Sequence, residues 1–199
     1  MRLGVFGGTF DPPHVGHLLL AERAREQLGL ERVLWVPAGD PWRKSDRQVA
    51  AAKDRVEMVR RAVEGNESFE VCTLEVERKG PTYSIETLEV LREKYQEAEL
   101  VFLVGEDALL DLPYWREAER LLELATLGVA RRREDDGAQG GLAGWLRERA
   151  VTVEWIDMPR IAISSTEIRR RVAEGQTIRY AVPEAVEAYI RQQRLYIAG

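Results

Sequence analysis

The sequence predicts an α/β fold, a doubly wound parallel sheet followed by a small C-terminal helical part. Three observations carry that expectation. Leu3-Gly4-Val5-Phe6, a helical pattern from about Val15 to Leu28, and Arg32-Val33-Leu34-Trp35-Val36-Pro37 form a strand–helix–strand unit, whose two strands run parallel. Leu100-Val101-Phe102-Leu103-Val104 is an unbroken apolar run, as expected of a central strand buried on both faces. Thr126-Leu127-Gly128-Val129-Ala130 repeats the pattern further on. The 199 residues suffice for one good core and fall short of two ordinary domains. A single domain over 1–199 is therefore expected, with a sheet core over 1–160 and a helical part over 161–199.

Composition narrows the function classes. Hydrophobic residues make up 45% and charged residues 32%, ordinary values for a globular chain. The net charge of −5 argues against a nucleic-acid partner but not against a nucleotide, for which one local basic site is enough. The single cysteine, Cys72, excludes an internal disulfide and suggests a reducing compartment. Its neighbours Phe69 and Val71 predict a buried core thiol. The first residues lack the charged and apolar regions of a leader peptide, and no apolar run is long enough for a membrane span. A cytoplasmic, unanchored protein is expected, and a homo-oligomer is compatible with the sequence.

The first helix places Leu20, Ala21, Ala24 and Leu28 on one face, and Gly29 stops it. Between the first strand and this helix lies Gly7-Gly8-Thr9-Phe10-Asp11-Pro12-Pro13-His14-Val15-Gly16-His17, which holds both histidines of the chain. A strand-to-helix turn is where α/β proteins bind phosphate. The glycines admit a close backbone approach, and the free N–H groups of the helix with two imidazoles predict a small cationic cradle. Gly-x-Gly-x-x-Gly is absent, and no Gly-Lys-Ser/Thr follows, so neither a dinucleotide fingerprint nor a P-loop is present. Two surface histidines in a turn are the bland alternative.

The stretch resembles the Gly-Thr-Phe-Asp-Pro-x-His-x-Gly-His signature of the nucleotidyltransferase superfamily. Further similarities at 80–84, 105–115 and 163–169 match the bacterial nicotinate-nucleotide adenylyltransferases. The resemblance covers essentially the whole chain and implies a Rossmann-like fold. It also implies adenylyl transfer from ATP to nicotinate mononucleotide, with Mg2+ bound mainly through the ATP phosphates and no protein metal site. His17, His14, Lys44 and Arg169 would carry the chemistry. Gly8, Thr9 and Phe10 would bring the backbone to the nucleotide.

After the second strand, Pro41-Trp42-Arg43-Lys44 stands where relatives have Pro-Pro-His-Lys. Lys44 would neutralise triphosphate charge and flank the acceptor, or it is a solvated lysine. Val49, Ala52, Val56, Val59 and Val63 predict an amphipathic helix over 49–64. Phe69 to Glu77 reads as a strand. Gly80-Pro81-Thr82-Tyr83-Ser84 then opens a helix with Ile85, Leu88, Leu91 and Tyr95 on one side and Ser84 as its N-cap. In the resembling enzymes this segment holds the pyridine carboxylate, which assigns Tyr83 and Ser84 to the acceptor.

The central strand ends in Gly105-Glu106-Asp107, similar to the family's Gly-x-Asp beside the adenosine. Asp107 would accept from a ribose hydroxyl, or it only caps the next turn. Trp115 matches a tryptophan that stacks on the nicotinate ring, with core packing as the alternative. Arg116 replaces a frequent aromatic and is a further acceptor candidate. In the basic run Arg131-Arg132-Arg133, Arg132 is the candidate for acceptor contact. Residues 135 to 144 read as a polar loop, 145 to 150 as a helix and 151 to 156 as a strand.

Ile163-Ser164-Ser165-Thr166-Glu167-Ile168-Arg169 contains a capping box, Ser164 with Glu167, and starts a helix that Gly175 stops. Ser164, Ser165, Thr166 and Arg169 form a second anion site and resemble the family's triphosphate motif. Val182 to Leu195 is a last helix, begun by Pro183, with no visible chemistry. Rival readings are a related adenylyltransferase acting on nicotinamide mononucleotide or phosphopantetheine, and a non-catalytic nucleotide-binding module.

Overall fold

Apolar runs with alternating or continuous burial become six strands: β1 (Arg2–Gly8), β2 (Arg32–Pro37), β3 (Phe69–Val71), β4 (Glu99–Gly105), β5 (Thr126–Arg132) and β6 (Val153–Met158). The computed structural model describes residues 1–40, 49–132, 146, 149 and 151–197. The strands form one sheet in the order β3-β2-β1-β4-β5-β6. β4 runs parallel to both β1 and β5, with Val5 opposite Phe102 and Val104 opposite Val129. β5 also runs parallel to β6. The order reverses between β1 and β4, the switch point of a Rossmann-like doubly wound sheet. β4 is central, as its unbroken apolar run predicts.

The residues group into two compact units. The first comprises Met1–Gly7, Leu20–Leu34 and Tyr83–Arg160. Leu3 and Val5 of β1, Leu100 to Val104 of β4, Leu127 and Val129 of β5, and Ile156 of β6 are buried in it. Helix α1 (Val15–Gln27) buries Leu20, Ala21 and Ala24, and Gly29 beyond it has the left-handed φ of 62° expected of a helix stop. Helix α4 (Ser84–Lys94) buries Ile85, Leu88 and Leu91; α5 (Glu106–Leu110) and α6 (Ala118–Leu124) follow β4.

The second unit comprises Gly8–Leu19, Trp35–Thr82 and Ile161–Gly199. Its helices are α2 (Ala52–Val63), the short α3 (Leu74–Glu77), α7 (Ser165–Ala173) and α8 (Glu184–Gln192). Met58 of α2 packs with Ile168 of α7 and with Val186, Tyr189 and Ile190 of α8 in one apolar cluster. The Tyr189 hydroxyl donates to Asp54 at 2.9 Å, so the α2–α8 contact also has a polar edge.

Three expectations are corrected. The strand over Phe69 to Glu77 stops at Val71, and Thr73 opens α3 with the Glu77 N–H on its carbonyl at 3.1 Å. That turn carries Glu75 inward, where it accepts from the buried Thr82 hydroxyl at 2.9 Å. Cys72 is half-buried rather than a core thiol, because it follows the last residue of a short strand. Ser84 is the first residue of α4 rather than its cap: extended Tyr83 holds the cap position and makes no side-chain cap bond. The expected helix over 145–150 falls mostly outside the described residues.

Candidate active site

The turn between β1 and α1 is built on close contacts. The ring of Phe10, 2% exposed, lies against Gly8, where a Cβ would come within 2.8 Å of it. Phe10 also packs on Trp35 and meets the His17 ring edge-on, each at 5.2 Å between centroids. The His14 and His17 rings stack at 3.7 Å. Gly16 makes room for that stack, since a Cβ there would stand 3.1 Å from the His14 ring.

The two imidazoles differ chemically. The His14 backbone N–H donates to Nδ1 of His17 at 3.2 Å. A neutral His17 therefore holds its proton on Nε2, on the far side of the ring. His14 is buried, and its Nδ1 has no hydrogen-bond partner among the described residues. Burial lowers its pKa to about 4. His14 is thus neutral near pH 7 and brings a dipole, not a charge, to the cradle.

Helix α7 meets this turn. Ser164 caps α7, its hydroxyl oxygen accepting the Glu167 N–H at 3.2 Å. The Glu167 carboxylate goes instead to Arg170 at 2.6 Å, an exposed pair of small energetic weight. Ser165 donates to the Pro12 carbonyl at 2.9 Å. Arg169 donates through Nη1 to the Asp11 carbonyl at 2.5 Å and through Nη2 to the Thr166 hydroxyl at 3.2 Å. So direct bonds join the second motif to the first across sequence separations of 153 and 158.

Two buried ionic groups, to which the sequence assigns no role by itself, organise the same region. Asp11 is 2% exposed; its Oδ1 accepts from the Tyr196 hydroxyl at 2.6 Å and the Ala50 N–H at 3.2 Å. Arg55 is 1% exposed and donates to the carbonyls of Thr9, Gly39 and Ala50 at 2.8–3.0 Å. Burial lowers the Arg55 pKa, opposed by the nearby Asp11 charge, and a guanidinium retains its proton even so. A signal for Arg55 was present: positions 52, 55, 59 and 63 recur at three and four residues, which puts it on the apolar face of α2.

The first unit carries the residues expected to face an acceptor. The Arg116 guanidinium lies 4.6 Å from the centre of the Tyr83 ring and pairs with Glu86 at 3.3 Å. Trp115 follows a 3-10 turn, Leu112–Tyr114, and meets Phe102 of β4 edge-on at 5.9 Å. Gly105 ends β4 and caps α5 (Glu106–Leu110), so Asp107 lies in the first turn of that short helix. Arg132 is the last residue of β5, opposite Met158. Its neighbour Arg131 is held by Asp157 at 2.8 Å. Lys44, Arg43 and Arg133 lie outside the described residues.

Among the described residues, no three His, Cys, Asp or Glu side chains are grouped to hold a metal ion. No helix among them is long and apolar enough to cross a membrane.

Residues 5–171 match the cytidylyltransferase-like family model. The chain is 47% identical to a probable nicotinate-nucleotide adenylyltransferase of Thermomicrobium roseum, over 98% of this chain and 91% of that one. The chain belongs to the nicotinate-nucleotide adenylyltransferase family. A family member from Thermus thermophilus is 45% identical over 98% of this chain and all of its own. The fold is also that of Plasmodium falciparum nicotinic acid mononucleotide adenylyltransferase complexed with NaAD, at a TM-score of 0.78 and 17% identity. That match covers 98% of this chain and 97% of the other. This chain is therefore an enzyme, a nucleotidyltransferase of NAD biosynthesis.

Proposed function

We propose that this enzyme transfers the adenylyl group of ATP to nicotinate mononucleotide, giving nicotinate adenine dinucleotide and pyrophosphate. The observation that best supports it is the pair of bonds from Ser165 and Arg169 to Pro12 and Asp11, which joins the start of α7 to the loop before α1. A phosphate oxygen of the acceptor, already anionic near neutral pH, attacks the α-phosphorus. The bond from that phosphorus to the bridging oxygen breaks, and pyrophosphate leaves with the electron pair. No general base is required, so catalysis rests on positioning and on neutralising charge.

In this reading His17 donates from Nε2 to the α-phosphate, and neutral His14 supports the flanking oxygens. Lys44 and Arg169 neutralise the leaving pyrophosphate. Gly8, Thr9 and Phe10 bring backbone to the nucleotide, with Ser164, Ser165 and Thr166 at the start of α7. Gly105 and Asp107 serve the adenosine. Tyr83, Ser84, Trp115, Arg116 and Arg132 serve the acceptor, the indole as a stacking face for the pyridine ring.

The carboxylate of Asp11 is engaged by Tyr196 and Ala50, so it is not offered as a metal ligand. Mg2+ held by the ATP phosphates, rather than by protein carboxylates, would supply charge neutralisation there. The whole chain, 1–199, acts as one functional domain on small molecules, in the cytoplasm, with neither nucleic acid nor membrane as partner.

Pyrophosphate release with nicotinate mononucleotide, nicotinamide mononucleotide and phosphopantetheine as acceptors tests the assignment. The nicotinate nucleotide is expected to be used fastest. Faster use of the amide nucleotide or of phosphopantetheine would overturn it.

A further inference from the structure

The segment after α8 ends in a structure that the transfer reaction does not by itself require. Arg194 and Tyr196 both have left-handed backbone, φ 52° and 64°. Residues with a Cβ rarely adopt that conformation, and it persists where surrounding contacts over-determine it. Here the outcome is a phenol turned inward. The Tyr196 hydroxyl donates to Asp11 Oδ1 at 2.6 Å across 185 residues of sequence and stands 3.9 Å from the Met58 sulfur. Burial and the Asp11 charge raise the Tyr196 pKa far above its ordinary value, so the hydroxyl stays a donor at every working pH.

Asp11 has a second side. Its Oδ2 lies 3.5 Å from Nη1 of Arg169, the same nitrogen that donates to the Asp11 carbonyl. The carboxylate therefore spans two groups: Tyr196 and the Ala50 N–H hold Oδ1, and Oδ2 faces the guanidinium. With Oδ1 held, the carboxylate cannot rotate, and Arg169 has one seat. Without the hydroxyl, a buried carboxylate oxygen keeps only the longer Ala50 bond and is drawn toward the nearest cations, Arg169 and Arg55.

We propose that Tyr196 is a positioning residue: by fixing the Asp11 carboxylate it aims the Arg169 guanidinium at the polyphosphate. The inference deepens the function proposed above and rests on Arg169 meeting that polyphosphate. It predicts that the hydroxyl acts on the nucleotide side only, and only through Asp11.

The test uses the full chain with Y196F, D11N and the double substitution. The affinity for α,β-methylene-ATP is measured by calorimetry, kcat and both KM values by pyrophosphate release, and folding by urea titration. Y196F is expected to fold, to weaken binding of the analogue about tenfold and to lower kcat by a similar factor. The KM for nicotinate mononucleotide is expected to stay unchanged. The double substitution is expected to add nothing to D11N.

Unchanged analogue affinity in Y196F would overturn the proposal, as would losses that multiply in the double variant or a matching rise in the acceptor KM. If D11N does not fold, Y196F decides alone through analogue affinity against acceptor KM. If wild-type protein binds the analogue but uses none of the acceptors, the transfer reading fails, and the calorimetric comparison still decides the role of Tyr196.

Discussion

Two helix beginnings carry most of the proposed substrate contacts, and they are built differently. At α7, Ser164 caps the helix while Ser165 and Arg169 are tied to residues of the β1–α1 turn. At α4, the residue at the cap position, Tyr83, makes no side-chain cap bond, Ser84 is the first helical residue, and the Tyr83 ring lies under the exposed Arg116 guanidinium. A site for a polyphosphate must hold several donors against several charges at once, and internal bonds preorganise them. A site for a single carboxylate needs only a few free N–H groups and a flat ring, which an uncapped helix end and an indole supply. The first design should govern rate and the second should govern acceptor affinity.

The largest effect is expected at the first. His17→Ala removes the Nε2 donor and should lower kcat by about 10²–10³-fold with folding intact, read by pyrophosphate release. Near-normal turnover would remove His17 from the phosphate side of the comparison.

His14 gives an effect on stability. Its folded pKa of about 4 lies below the ordinary 6.5, so the unfolded chain takes up the proton first. The stabilising contribution is therefore complete above pH 6.5 and is lost as the pH falls toward 4. It amounts to about 3 kcal/mol. Urea midpoints between pH 7 and pH 4 should fall more steeply for the natural protein than for His14→Gln. Equal slopes would contradict the account from burial.

On the acceptor side, Trp115→Ala should raise the KM for the acceptor about tenfold while leaving the KM for ATP unchanged, because only one stacking face is lost. A change in both would show that the indole acts through packing on Phe102.

The smallest effect separates the two helix ends directly. Ser164→Ala should cost about 1 kcal/mol of stability, as a lost cap does, whereas Ser84→Ala should stay within about 0.5 kcal/mol. Similar losses in thermal unfolding would mean that the α4 end is capped after all.

Most of the sheet was legible in the sequence because parallel strands announce themselves as continuous apolar runs. β2 and β4 match their predicted runs closely, and α1 buries the face that its periodicity defines. The failures share a cause. Asp11, Arg55 and Tyr196 matter through partners far away in sequence, which local patterning does not report. Arg55 kept the helical period but carried the wrong chemistry for a core position. Tyr196 follows a helix end, where periodicity stops. Phe69 to Glu77 misled because loose alternation over nine residues also fits a three-residue strand followed by one helical turn.

Arg55 has a consequence for how the chain can change. Its guanidinium grips the carbonyls of Gly39 and Ala50, and these two residues bracket the stretch that contains Lys44. Both anchorages belong to a single helix side chain, so Gly39 and Ala50 are held by one guanidinium. Arg55→Met should therefore release both carbonyls together.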